Sequence, residues 1–169
     1  MAQLLGPSRE NSEACTSSRA YRVGMGLRVV AVAETTLELW RGIHNQIIPT
    51  APLTPDEVAE RSTRHRLTLA YDDDVLIGNA TLRPPGDEST TATVIVRVLP
   101  PFRRRGFGTS YLDVTIAAAR ALGATRIETV VLASNTDGLA FALSHGFVEH
   151  DRYTLEGDRI PFIDLHLVS

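Results

Sequence analysis

A chain of 169 residues, 43% apolar and 22% charged, has room for one globular core, and its formal net charge is −3. All 17 basic residues are arginine, which excludes a lysine Schiff base, a lysine general base and the lysine of an NTP-binding phosphate loop. The single cysteine, Cys15, excludes an intrachain disulfide framework and a cysteine-rich metal site, and a mildly acidic total gives no electrostatic basis for general nucleic-acid binding.

Residues 1–25 are polar, rich in Ser, Arg and Glu, and lack the continuous apolar stretch of a secretory signal. They read as a disordered leader or a cloning remnant, with Cys15 incidental and Met25 an alternative start, ahead of a single domain over residues 26–169. No apolar run approaches the roughly 18 residues needed to cross a bilayer, so a cytoplasmic location and no membrane partner are expected.

Leu27–Ala33 is a short β-branched run and predicts a strand. Thr35–Asn45 carries Leu37, Trp40, Ile43 and His44 at helical spacing. Thr54-Pro55-Asp56-Glu57 combines a cap, a proline at the first helical position and a capping-box glutamate, so a second helix runs from there to about Arg64. Leu67–Tyr71 and Val75–Leu82 are strands joined by Asp72-Asp73-Asp74. Three consecutive aspartates on an extended chain do not converge on one ion, so the run reads as a solvated turn.

Pro84–Glu88 makes the next turn, and Thr91–Leu99 is a strand. Gly106–Gly108 opens a helix over about Thr109–Leu122, stopped by Gly123. A strand at Arg126–Leu132 and a helix at Thr136–His145 follow, then strands at Val148–Leu155 and Arg159–Val168 around the turn Glu156-Gly157-Asp158. This alternation implies an α/β protein with a mixed sheet covered on both faces.

The chemistry concentrates between Val94 and Phe147. Arg103-Arg104-Arg105-Gly106-Phe107-Gly108-Thr109 stands at the mouth of a predicted helix. A helix N-terminus leaves main-chain N–H groups unpaired and favours anions, the glycines let a ligand approach, and the arginines add positive charge. The combination suits a diphosphate. A dinucleotide fingerprint would place a third glycine where Tyr111 stands, and an NTP loop needs the missing lysine. The plainer alternative is a surface charge run with a turning glycine.

The spacing Arg103-x-x-Gly106-x-Gly108, preceded by Val98-x-Pro100-x-Phe102-Arg103, resembles the acetyl-CoA signature of the GCN5-related N-acetyltransferase (GNAT) family. Asn135-Thr136-Asp137-Gly138-Leu139-Ala140-Phe141 and Gly146-Phe147 resemble that family's second cofactor motif. The resemblance implies a splayed mixed sheet of six to seven strands flanked by about four helices, with acetyl-CoA wedged where two parallel strands part. Val96 and Val98 would offer main-chain groups to the pantetheine arm. The amides of Arg104, Arg105, Gly106, Phe107, Gly108 and Thr109 would take the pyrophosphate, beside Arg103. Asn135 would lie beside the pantetheine or the thioester, and Phe141 near the sulfur end. The implied activity is transfer of an acetyl group to a primary amine of a small molecule by direct attack. A homodimer is compatible with the family, and an acyl-CoA-binding module with weak or no catalysis is the alternative.

The family often carries a tyrosine, acting as general acid, where this chain has Ala142. Tyr111 and Tyr153 are substitutes without a position. Glu128 and His44 are candidate bases, each with a structural reading beside the functional one, so neither acid nor base is assigned. The remaining histidines, His65, His145, His150 and His166, are too scattered to imply a metal.

Overall fold

The computed structural model describes residues 20–22 and 26–168, so Cys15 and most of the expected leader lie outside the described residues. The elements are β1 (Tyr21–Arg22), β2 (Leu27–Ala31), a 3₁₀ turn (Glu34–Thr36), α1 (Leu37–Ile47), α2 (Pro55–Arg64), β3 (Arg66–Asp72), β4 (Val75–Arg83) and β5 (Thr91–Val98). A second 3₁₀ turn (Pro100–Phe102) leads to α3 (Phe107–Ala121), β6 (Arg126–Leu132), α4 (Thr136–Ser144), β7 (Phe147–Tyr153) and β8 (Phe162–Leu167). The α/β class and the element order agree with the sequence reading. The addition is β1, two residues inside the expected leader that pair antiparallel with β2.

The strands form one mixed sheet in the order β1-β2-β3-β4-β5-β6-β8-β7. Every pairing is antiparallel except β5 with β6. That parallel pairing is short: Thr91 lies opposite Arg126, Ala92 opposite Ile127 and Thr93 opposite Glu128, and it goes no further. Beyond Thr93, β5 stays with β4 while β6 stays with β8, so the sheet splays open between them.

Alternation sends Leu82, Ala92 and Val94 to the back of the sheet, where they pack with Leu112 and Ala119 of α3 and Ala142 of α4. The front is covered by α1 and α2, whose Trp40 and Val58 cluster with Leu67 and Leu69 of β3. Trp40 is fully buried, and its Nε1–H donates to the Ala80 carbonyl at 3.0 Å. Asn79 returns the tie through Nδ2, which donates to the Trp40 carbonyl at 2.9 Å. These bonds fix α1 over the end of β4 nearest the splay.

Candidate cofactor and acceptor site

The Leu99 N–H donates to the Ile77 carbonyl at 2.8 Å, continuing the register that sets Val98 opposite Gly78 and Arg97 opposite Asn79. In an antiparallel pair such bonded positions alternate. Ile95 and Arg97 therefore turn their main-chain groups toward β4, while Val96 and Val98 turn theirs to the other edge. Among the described residues no strand pairs with that edge past Thr93. One of these groups is already engaged: the Val98 carbonyl accepts from Arg103 Nε at 2.8 Å.

The same strand delivers the chain to the α3 N-terminus. Arg104 and Gly106 both take left-handed backbone, with φ of 61° and 83°. Glycine tolerates that conformation freely, whereas arginine is strained in it. The first bond into α3 runs from the Ser110 N–H to the Gly106 carbonyl, at 3.1 Å, and no side chain caps the helix. The amides of Phe107, Gly108 and Thr109 therefore have no acceptor in the helix and project from its positive end. A Cβ on Gly108 would stand 3.1 Å from the Phe141 ring, so this glycine also makes room for α4.

The three arginines part company. Arg103 spans the splay: besides Val98 it reaches Asp137 of α4 at 3.2 Å. Arg105 turns toward Asp72 at 3.3 Å and lies 5.0 Å from the centre of the Phe107 ring. Arg104 is exposed, with no ion pair among the described residues.

Across the gap, Asn135 is the cap of α4: its Oδ1 accepts from the Gly138 N–H at 3.0 Å. A Cβ on Gly138 would meet Asn135 Nδ2 at 2.4 Å, so the pair is needed together. Phe141 packs at a tilt against His145, with ring centres 4.1 Å apart. The His145 Nε2 bonds the Thr109 hydroxyl at 2.9 Å, joining α4 to the first turn of α3. This histidine, which sequence spacing left unused, thus ties two expected site residues together.

A cavity of about 360 Å³ opens at the ends of β5 and β6. Its walls are residues 46–50, at the end of α1 and just after it, with Pro100, Arg103, Leu132 and the segment 134–137. Bare amides at one end, an unpaired strand edge along the side and a cavity at the other end suit a long ligand with an anionic head, which is the form of acetyl-CoA.

The acid and base candidates separate clearly. Tyr111 is fully buried on the back of the sheet, its hydroxyl paired with Thr68 Oγ1 at 2.7 Å, and burial raises its pKa, so it is no acid for the cleft. Ala142 is buried and apolar. Tyr153 donates to Asp164 Oδ1 at 3.3 Å, and burial raises the pKa of both. Glu128 Oε1 is engaged by Arg126 Nε at 2.8 Å and lies 3.4 Å from His150 Nε2. His44 is buried, its Nε2–H donating to the Ala51 carbonyl at 3.0 Å. Burial first, and then the charge of Arg97, push its pKa down to about 4, so it is a weak base. Among the described residues no three His, Cys, Asp or Glu side chains gather in a metal-binding group, and no helix is long and apolar enough to cross a membrane.

Sequence reading passed over Arg61, Arg83 and Arg97, which the structure puts together on the front face; the signal was a charge inside the strand sequence TATVIVRV. It also passed over Gly78. A Cβ there would fall 2.2 Å from the Arg97 carbonyl, a close approach that a lone glycine in a strand can announce.

A family model described as the acetyltransferase (GNAT) family matches residues 32–147. Among solved structures, a protein provisionally described as a phosphinothricin N-acetyltransferase is 21% identical with a TM-score of 0.70, the match covering 83% of this chain and 97% of that one. The ribosomal-protein-S18-alanine N-acetyltransferase of Escherichia coli is also 21% identical, at a TM-score of 0.67, over 83% of this chain and 92% of its own. A provisionally described acetyltransferase from Salmonella typhimurium, solved with its cofactor acetyl-CoA, is 16% identical with a TM-score of 0.65, over 84% and 93%. No curated protein matches the sequence. At such identities the solved structures share the fold.

Proposed function

Since the chain belongs to the GNAT acetyltransferase family, whose acyl donor is acetyl-CoA, we propose that it transfers the acetyl group to a primary amine of a small molecule by direct attack. The observation that carries this reading is the splay of β5 from β6, which runs from a free strand edge to a helix N-terminus with unpaired amides. Bound acetyl-CoA supplies an activated acetyl thioester. In this reading the amides from Arg104 to Thr109 hold the diphosphate, and the Val96 and Val98 main chain hold the pantetheine arm. Arg103 and Asn135 shape the cavity where amine and acetyl group meet, and Phe141 lies behind them.

A second reading, an acyl-CoA-binding module with little catalysis, draws its support from Ala142, which is buried and apolar where the family often has a tyrosine. General acid help is typically worth about 10²–10⁴-fold, so its loss slows a reaction with a good leaving group without abolishing it.

Calorimetric titration with acetyl-CoA tests the cofactor site. Wild type is expected to bind, and Gly108→Trp, which drives an indole into the Phe141 ring, is expected not to. A wild-type protein that gives no heat with acetyl-CoA overturns both readings. Thiol release over a panel of amines then separates them: release above the amine-free rate establishes the enzyme, and silence over the panel favours the module.

A further inference from the structure

The front face holds a group of side chains that donor binding leaves unused. Arg97 lies opposite Asn79, and Arg83 opposite Thr93. Asn79 is bonded to Trp40 of α1, so this is the face that α1 and α2 cover. Arg61 of α2 joins the two from above. Burial first, and then the charges of Arg61 and Arg83, bring the Arg97 guanidinium down to about 10, so it stays protonated at neutral pH. Among the described residues none of the three makes an ion pair. Glu57 and Glu60 act on Arg61 through space, but burial outweighs them and its pKa falls.

The polar atoms on this face are also without partners. Arg97 Nη1, Arg83 Nε, Asn79 Oδ1 and the Nδ1 atoms of His44, His65 and His166 are buried, with no hydrogen bond among the described residues. His166 belongs to the same face, because it lies opposite Glu128, which lies opposite Thr93. Buried polar groups are paired in nearly all folded proteins, and uncompensated buried charge is costlier than unpaired neutral groups. Two strand cations facing a third on α2, with two of their donors unpaired, form a site complementary to an oxyanion.

The face adjoins the cavity. His44 bonds Ala51 from the last turn of α1, and residues 46–50 between them line the cavity wall. Arg97 directly precedes Val98, whose carbonyl accepts from Arg103, itself a residue of the cavity wall.

We propose that Arg97, with Arg83 and Arg61, forms the anion subsite of the acceptor pocket, so that the amine substrate is an amino acid or a similar zwitterion. This narrows the N-acetyltransferase reading and rests on it. The arginine fork grips a carboxylate through two parallel N–H bonds, while the same three charges repel a polyamine. A phosphonate shares that chemistry with a carboxylate.

Matched sets of acceptors test the subsite: an amino acid, its decarboxylated amine and its aminophosphonate analogue, followed by thiol release at saturating acetyl-CoA. The anionic members are expected to exceed the plain amine at least about 10-fold in kcat/KM. Arg97→Gln and, separately, Arg83→Gln should cut that preference by about 10–100-fold, mainly through KM, with acetyl-CoA binding unchanged. Arg120→Gln, on the exposed side of α3, should behave as wild type. The ratio between carboxylate and phosphonate names the oxyanion. A decarboxylated amine used as well as its amino acid overturns the subsite and leaves the enzyme standing. If no amine is turned over, the enzyme reading fails, and calorimetry of the CoA-loaded protein with the amino acid still decides the subsite. Heat that disappears in Arg97→Gln upholds it, and no heat in wild type overturns it.

Discussion

His44 shows what burial does to one side chain on the front face. Its Nε2–H donates to the Ala51 carbonyl, which leaves Nδ1 as a bare lone pair in a place that water does not reach. Protonating that atom would put a cation beside Arg97, and the pKa accordingly falls to about 4, with burial the larger cause. In the unfolded chain the ring titrates near 6.5. Between those values the unfolded state binds the proton and the native state does not, so stability falls as pH drops from 6.5 toward 4. Taken whole, the difference is at most about 3.4 kcal/mol, or roughly 7–14 °C in melting temperature for a domain of this size. Thermal melts at pH 7.5 and pH 4.5 check this. Wild type should lose more of its melting temperature than His44→Phe, which keeps a ring against Trp40 but carries no titrating nitrogen. Equal losses would show that carboxylates alone set the acid limb.

At the level of elements, α2 was fully announced by its first four residues. Thr54 Oγ1 accepts from the Glu57 N–H at 3.3 Å, and Glu57 Oε2 accepts from the Thr54 N–H at 2.7 Å, the reciprocal pair that the spacing predicts. Thr54→Ala should therefore lower stability by about 1 kcal/mol, read as a fall of about 2–4 °C in melting temperature. No change would mean that packing of Val58, not the cap, holds this end. Local signals of this kind act over three or four residues and can be read directly. Contacts between distant strands cannot. The Thr36 hydroxyl takes the Ala33 N–H at 2.9 Å and spends residues 34–36 on a 3₁₀ turn, so α1 starts at Leu37 and not at Thr35. Gly106 in left-handed conformation starts α3 at Phe107, two residues early. Gly78 is a contact of the second kind. The β5 main chain passes so close that Gly78→Ala must push Arg97 and Val98 aside, at a cost of about 1–3 kcal/mol, the range for overpacking. Because those residues line the splay, acetyl-CoA affinity should fall with stability in this variant. A drop in melting temperature with unchanged affinity would separate Gly78 from the site.

Across the whole molecule, the sheet is continuous on either side of one short parallel pairing, and the opening there is set by topology. With β8 inserted between β6 and β7, antiparallel bonding pulls β6 one way while β4 holds β5 the other. The motif residues around Gly106 and Asn135 could be picked out from sequence because their backbone and capping demands are local. The cationic front face could not, because Arg83 and Arg97 are brought to one face by the pairing of β4 with β5, and Arg61 reaches it only through packing of α2 against α1 and β3. Charge follows the same division: the segment from Pro101 to Arg126 holds five arginines and one acid within a chain of net charge −3. An anionic ligand entering beside that segment should stabilise the fold by mass action. At a hundred times its Kd, acetyl-CoA is expected to add about 2.7 kcal/mol and to raise the melting temperature by about 5–10 °C. Amide exchange locates the effect. Ile95 and Arg97 direct their N–H groups at β4 and are already protected, whereas Val96 and Val98 direct theirs into the gap and Phe107, Gly108 and Thr109 have no helical acceptor. Acetyl-CoA should therefore slow exchange at Val96, Val98 and the three α3 amides while leaving Ile95 and Arg97 as they were. Slowing spread evenly along β5 would mean that the ligand tightens the sheet as a whole and does not lie along its open edge.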